Sequence, residues 1–261
     1  GRAPDQACSR STALQMASVA CQQACQILET DSRPAASPDS LTVLPVGLGC
    51  TAALVSERPK KGDHRAWIAL QSPLETVVAE LLLTKGLRSR VAEDELVGQW
   101  ILTLLMDFCL PHSAGHFTQF YHPSTAQSSQ DLHPINTAET ARWPQIDRRP
   151  LRTSDAIPLP LRASDRITVE RLTASPLLQQ LWTGDRHIVW SQSGRLNSSG
   201  PWPGGPAAIL CGSFNPVHHG HQQMLEIACR RFGPQVAAEL SIQNVDKPPL
   251  DYLSVHDRCQ Q

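Results

Sequence analysis

The chain has 261 residues, 41% hydrophobic and 18% charged, with a formal net charge of −1 when its ten histidines are neutral. So even a balance excludes the basic face of a nucleic-acid binder or of a protein held on an anionic membrane. The longest apolar run, "WILTLLM", is far short of the roughly 20 residues that cross a bilayer, and the opening "GRAPDQACSR" lacks the apolar core of a signal peptide.

Leu14, Ala17, Cys21, Ala24, Cys25 and Leu28 recur at helical spacing and predict a first helix with one apolar face. "LTVLPVGLG" and "RAWIALQS" predict two strands joined by the loop "SERPKKGDH". "ETVVAELLLT" predicts a third strand, rich in branched residues at its start. Val91, Val97, Ile101, Leu104, Leu105 and Phe108 mark a second helix, so residues 8–110 read as a small α/β layer. The eight cysteines form no CxxC pair, the pattern of reduced thiols in an intracellular compartment, cytosol or organelle matrix. Cys21 and Cys25 lie four apart on the first helix and read as small core residues.

Eleven of the 21 prolines fall between residues 111 and 206, among Ser, Gln, His and Arg. Residues 111–165 are too poor in apolar periodicity to offset the entropy of ordering a backbone and predict a disordered linker. Cys109, His112, His116 and His122 have loosely metal-like spacing at its start. With nothing there to hold ligands together, they read as a polar tail. "SDRITVERLTASPLLQQLWTGDRHIVW" carries a short strand and a short helix expected to dock onto the C-terminal segment, and "SGRLNSSGPWPGGP" predicts a second flexible break. From Ala207, "AAILC" predicts a buried strand, "HQQMLEIACRRF" a helix, "QVAAELSIQ" a second strand and "YLSVHDRCQQ" the next helix. This is a β-α-β unit with parallel strands and a right-handed crossover. The expected organisation is α/β throughout: a first domain over 8–110, a linker over 111–165 and a second domain over 166–261.

The turn between that strand and helix, "GSFNPVHHGH", concentrates the chemistry. A buried parallel strand delivers it to the carboxyl edge of a sheet, where open α/β folds bind ligands. Gly212 allows close backbone approach, Pro216 fixes the turn and Gly220 frees space as the helix begins. The helix start offers bare N–H groups and partial positive charge to an anion. His218 and His221, three apart, can both face one pocket, donate hydrogen bonds and carry charge. Two other readings stand beside this one: a zinc site with His218, His221 and a third ligand such as Cys211, and a purely structural turn.

"GSFNPVHHGH" resembles the GxFxPxHxGH signature of the nucleotidylyltransferase superfamily, which includes the nicotinamide and nicotinate mononucleotide adenylyltransferases and the cytidylyltransferases. The likeness implies a Rossmann-like parallel sheet of which this chain carries the first β-α-β half. It implies that Ser213 and Phe214, with Gly212 and Gly220, lie against the nucleotide, and that His218 and His221 bind the triphosphate and stabilise charge on the α-phosphoryl group. It also implies in-line transfer to a mononucleotide, usually with Mg²⁺ and without a covalent intermediate, as pyrophosphate leaves. "SIQNVDKPPL" resembles the second-strand region of the adenylyltransferase branch and makes Lys247 a phosphate partner. That likeness favours ATP as the donor, with CTP, and so a cytidylyltransferase, as the further alternative; the partners are small nucleotides rather than nucleic acid or membrane.

"GLGCTAALVSERPKKGDHRAWIAL" and "LTKGLRSRVAEDELVGQWILTLL" resemble the CinA-type domain, whose active bacterial members deamidate nicotinamide mononucleotide. The closest likeness is to plant and algal proteins that join such a domain to a nucleotidylyltransferase domain. Lys61 falls about where that family has a lysine. The ESCTGG-type segment that holds the serine nucleophile has no counterpart here, and a lysine alone cannot run acyl transfer. The first domain is therefore expected to bind a ligand or serve as scaffold. The superfamily's full sheet and its later Ser/Thr-Ser/Thr-x-x-Arg segment are not found before Gln261, and residue 1 is glycine. A fragment of a longer two-domain protein is thus expected, with a catalytically silent remnant as the alternative to an enzyme.

Overall fold

The computed structural model describes residues 7–30, 43–58, 61–109, 140–148, 161–162, 164–192, 195–198, 205–243 and 247–261. In chain order the elements are α1 (Arg10–Thr30), β1 (Gly47–Ala53), β2 (His64–Gln71), β3 (Glu75–Leu83), α2 (Arg90–Cys109), β4 (Thr140–Arg142) and β5 (Arg166–Thr173). There follow α3 (Pro176–Thr183), β6 (Trp190–Gln192), β7 (Arg195–Asn197), β8 (Ala208–Cys211), α4 (His219–Phe232), β9 (Val236–Glu239) and α5 (Tyr252–Cys259). The architecture is mixed α/β. Two compact units divide it: Gly1–Asp131 with Ile146–Leu172, and Leu132–Gln145 with Thr173–Gln261. Among the described residues no helix is long and apolar enough to cross a membrane.

In the first unit the sheet order is β1-β2-β3-β5, with β1/β2 and β2/β3 antiparallel. Alternation along the strands sorts side chains between two faces. Gly47 and Gly49 pair with Gln71 and Ala69 on one face, which α1 covers with its small residues Ala13, Ala17 and Cys21. The contact is backbone on backbone: a Cβ at Gly47 would stand 2.0 Å from the Ala17 carbonyl oxygen, and one at Gly49 2.1 Å from that of Ala13. The opposite face carries Ile68, Leu70, Val77, Ala79 and Leu81 and packs on Leu96, Trp100, Leu104 and Phe108 of α2.

Buried charges in this unit are paired, as desolvation requires. His64 Nδ1 lies 2.8 Å from Glu93 Oε1, and the other Glu93 oxygen accepts the Val55 N–H at 2.8 Å, tying β2, the loop after β1 and α2 together. Arg171 of β5 donates to Glu75 at 2.8 Å and also to Asp107, locking the fourth strand to β3 and α2. Asp165, just before β5, accepts from Arg88 and from the Thr84 and Arg162 N–H groups. Burial would raise its pKa, but the guanidinium and the N–H donors outweigh it and hold the carboxyl well below the usual carboxylate range. A depressed folded-state pKa contributes stability above the unfolded value near 4, and that stability is lost as pH falls through the folded value. The melting temperature of the wild-type chain should therefore drop more steeply than that of Asp165→Asn between pH 7 and pH 2, as followed by circular dichroism.

The second unit contains an antiparallel sheet of order β4-β7-β6 and the parallel pair β8/β9, in which Ala208 faces Val236 and Cys211 faces Glu239. Pro176 opens α3 and Gly184, at φ 85°, ends it. Trp182 of α3 packs on Tyr252 of α5, ring centroids 6.5 Å apart, and Trp143 packs on His256 at 6.3 Å. Asp251 caps α5 by accepting the Ser254 N–H at 2.8 Å. These contacts make α5 the best-anchored helix near the β8/β9 pair, since α4 buries none of its residues.

Four sequence expectations change: β8, expected to be buried, has no buried residue and leaves Ile209 54% exposed. Part of the expected disordered linker is ordered: β4 pairs with β7, Trp143 is buried, and Asp147 bridges Arg171. β7 itself lies in the expected second flexible break. Strand pairing supplies the partners that local composition lacks. The remainder of 111–165 (residues 111–139, 149–160 and 163), with His112, His116 and His122, lies outside the described residues. Lastly, the strand expected to dock forwards from residue 166 is β5, which joins the first unit's sheet instead, while α3 does pack with the second unit. The parallel pairing of β8 and β9 is as expected.

Candidate functional site

The ladder between β8 and β9 ends one residue beyond β8, where the Gly212 N–H donates to the Glu239 carbonyl at 3.1 Å. The chain then turns sharply, with Phe214 at φ 44°. A bulky residue in this left-handed region costs on the order of 1–3 kcal/mol and persists only where its surroundings hold it. What holds Phe214 is its ring, 6% exposed, folded back over Gly212. A Cβ on Gly212 would come 3.0 Å from the ring's Cζ. The other face of the arrangement is His221, whose ring centroid lies 5.1 Å from that of Phe214.

His218, extended at φ −134° and ψ 170°, is the residue before α4. Its ring stacks on His221, centroids 3.8 Å apart and planes 26° apart. Gly220 makes room for it, since a Cβ there would meet His218 Cε1 and Nδ1 at 3.2 Å. The His218 backbone N–H donates to His221 Nδ1 at 3.3 Å. With Nδ1 an acceptor, the neutral His221 ring carries its proton on Nε2. The two motif glycines thus lie where aromatic rings need the space. Gly212 serves Phe214 and Gly220 serves His218, and the two stacked imidazoles with the tilted phenyl form one ring cluster at the start of α4, where the His221 N–H donates to the His218 carbonyl at 2.9 Å.

The last turn of α5 reaches back to this turn. Arg258 donates to the Ser213 carbonyl at 3.0 Å, and Gln261 Oε1 accepts the Val217 N–H at 2.6 Å. Burial pushes the Arg258 guanidinium below its usual pKa, against the opposing pull of Asp251. Neither residue is marked in the sequence, because "SVHDRCQQ" reads only as a helix and does not reveal which face meets the turn. At the carboxyl ends of the strands the exposed Cys211 thiol donates to Glu239 at 3.0 Å; the bond to that carboxylate raises the thiol's pKa and disfavours the thiolate. Cys211 therefore pairs with Glu239, and among the described residues no three His, Cys, Asp or Glu side chains gather where a metal ion could sit.

Gly212, Ser213, Phe214, His218, Gly220 and His221 are thus brought into one turn. Lys247 is exposed on the segment before α5, and no hydrogen bond among the described residues joins it to the turn. Lys61 is likewise exposed, its carbonyl accepting from Lys85 at 2.9 Å in the first unit.

A parallel strand, a turn lined by imidazoles and a helix start are thus joined in one β-α-β segment. A family model described as cytidylyltransferase-like matches residues 209–261, from β8 through the end of α5. That match supports the nucleotidylyltransferase superfamily and a nucleotidyltransferase-type function for this stretch. No curated protein and no solved structure matches the chain.

Proposed function

We propose that the second unit binds a nucleoside triphosphate at the histidine turn and transfers its nucleotidyl group to a mononucleotide, releasing pyrophosphate. The observation that carries this reading is the Phe214–His221–His218 ring cluster at the start of α4, within the cytidylyltransferase-like match. In this reading Ser213 and Phe214 lie against the nucleotide and the helix start takes up phosphate charge. The Nε2 proton of His221, with His218 beside it, meets the charge that grows on the α-phosphoryl group as the acceptor attacks in line. Lys247 would meet the same phosphates from the segment before α5. ATP is the proposed donor and nicotinamide or nicotinate mononucleotide the proposed acceptor, by the likeness of "SIQNVDKPPL" to the adenylyltransferase branch. The β8-α4-β9 run is read as the first half of a Rossmann-like sheet, and residues 8–110 as a CinA-like scaffold or ligand-binding domain.

The turn's titratable side chains are imidazoles rather than the oxygen ligands that Mg²⁺ prefers. They do not form a cage for Mg²⁺, which would arrive as the counter-ion of the triphosphate.

The test is pyrophosphate release by the purified chain from ATP or CTP with Mg²⁺ and nicotinamide mononucleotide, run beside calorimetric titration of each triphosphate. Release with ATP exceeding that with CTP is expected. Triphosphate binding without release would favour a binding-only protein. The absence of both binding and release would remove the nucleotide altogether.

A further inference from the structure

We propose that Arg258 is a positioning residue for the histidine turn, acting through the peptide that joins Ser213 to Phe214; its consequence for nucleotide binding rests on the function proposed above. Phe214 sits at φ 44°, and the carbonyl immediately before it, that of Ser213, receives the Arg258 guanidinium at 3.0 Å. A trans peptide is planar, so its C=O and N–H point to opposite sides. Pinning the oxygen therefore fixes the whole unit, including the Phe214 N–H. Relaxing Phe214 to an ordinary negative φ requires that unit to rotate, and rotation breaks the bond to Arg258.

The bond also has a firm base. Arg258 stands on α5, which is capped by Asp251 and buried through Tyr252, Leu253 and Val255. Gln261, two residues past the end of α5, takes the Val217 N–H at 2.6 Å. The turn is thus gripped at both ends of its exposed arc, before Phe214 and before His218, by one anchored helix end. α4 cannot supply this support, since none of its residues is buried. If the peptide rotates, the Phe214 ring leaves the space above Gly212, and His221 loses the ring that backs it at 5.1 Å. Support of this kind, one layer behind the groups that would touch a ligand, sets how well those groups are held.

The test uses the full chain with Arg258→Ala, Arg258→Gln and Arg258→Lys, and Gln260→Ala as a neighbouring control. Three quantities are read: the melting temperature, the ¹H–¹³C resonances of the His218 and His221 Cε1–H groups without ligand, and the affinity for ATP with Mg²⁺. Arg258→Ala and Arg258→Gln should shift both histidine resonances together and weaken triphosphate binding about ten- to hundredfold, the range for a lost charge-assisted hydrogen bond. Arg258→Lys should recover part of both, and Gln260→Ala should leave them unchanged. Histidine resonances in Arg258→Ala identical to those of the wild type would overturn the inference. So would displaced resonances with an unaltered affinity in a chain that binds ATP. If Arg258→Ala does not fold, Arg258→Lys and Arg258→Gln carry the same readouts. A wild-type chain that binds no triphosphate defeats the nucleotide reading alone, because the ligand-free resonances still decide whether Arg258 holds the turn.

Discussion

His221→Ala is expected to lower pyrophosphate release at saturating ATP by about 100- to 1000-fold, the usual result of deleting one pre-aimed donor to developing charge. His221 is the most constrained ring in the turn. The His218 N–H holds its Nδ1 at 3.3 Å, His218 stacks on it at 3.8 Å, and Phe214 backs it at 5.1 Å. These contacts leave the Nε2 proton in a fixed direction before any substrate arrives, which is what makes such a donor effective. Alanine removes the donor and also frees the His218 ring and the Phe214 ring, so neither neighbour can take its place. The melting temperature should move little, because α4 buries none of its residues. A single-turnover assay at saturating ATP isolates the effect, and a rate within a few-fold of the wild type would show that His221 is not the donor.

Gly47→Ala is expected to cost the first unit about 3 kcal/mol or more, at the upper end of overpacking penalties. The new Cβ would stand 2.0 Å from the Ala17 carbonyl oxygen and 2.3 Å from the Cys21 amide nitrogen. Both are backbone atoms of a helix and cannot rotate out of the way. Relief requires α1 to lift off β1, drawing Ala13, Ala17 and Cys21 away from the sheet face they cover. The fitting control is Gly98→Ala. Gly98 lies on the exposed side of α2, and a methyl group added there would have nothing within 4 Å, so alanine should stabilise by about 0.5–1 kcal/mol through helix propensity. Urea unfolding of the three chains should place Gly47→Ala well below the wild type and Gly98→Ala slightly above it.

Periodicity makes α1 and α2 legible, because each buries one face along its length, while β2 and β3 are legible as apolar runs, being buried on both faces of the sheet. β1 is harder. "LTVLPVGLG" points to a strand ending at residue 49, whereas the strand runs Gly47–Ala53. The glycines look like a stop in the sequence. In the fold they are interior, because α1 approaches too closely for any side chain. β4 is not legible, since three residues carry no period and its stability lies in the pairing with β7. Nor can residues 166–173 announce which sheet they will join; that choice is made by Arg171 meeting Glu75 and Asp107, residues far away in the sequence. At the candidate site the local part, Gly212 to His221, is legible because one strand, one turn and one helix start hold it in register. Arg258 and Gln261 are not, because their role depends on where α5 lands rather than on any local pattern.

The order of the chain through its two units has a consequence for how the protein is made. The polypeptide passes from the first unit to the second after Asp131, back at Ile146, and out again after Leu172. A ribosome therefore releases β4 and Trp143 before the first unit has received β5, and the first unit's buried carboxylates, Glu75 and Asp107, wait for Arg171 until then. The first unit can close once β5 has emerged, whereas the second unit, begun at Leu132, is completed only by residues 173–261, so its first segment must wait for the rest of the chain. Proteolytic dissection meets a one-sided obstacle: a cut after Leu172 keeps the first unit's residues together, but the peptide starting at Thr173 lacks both the strand beside β7 and the indole that packs on His256.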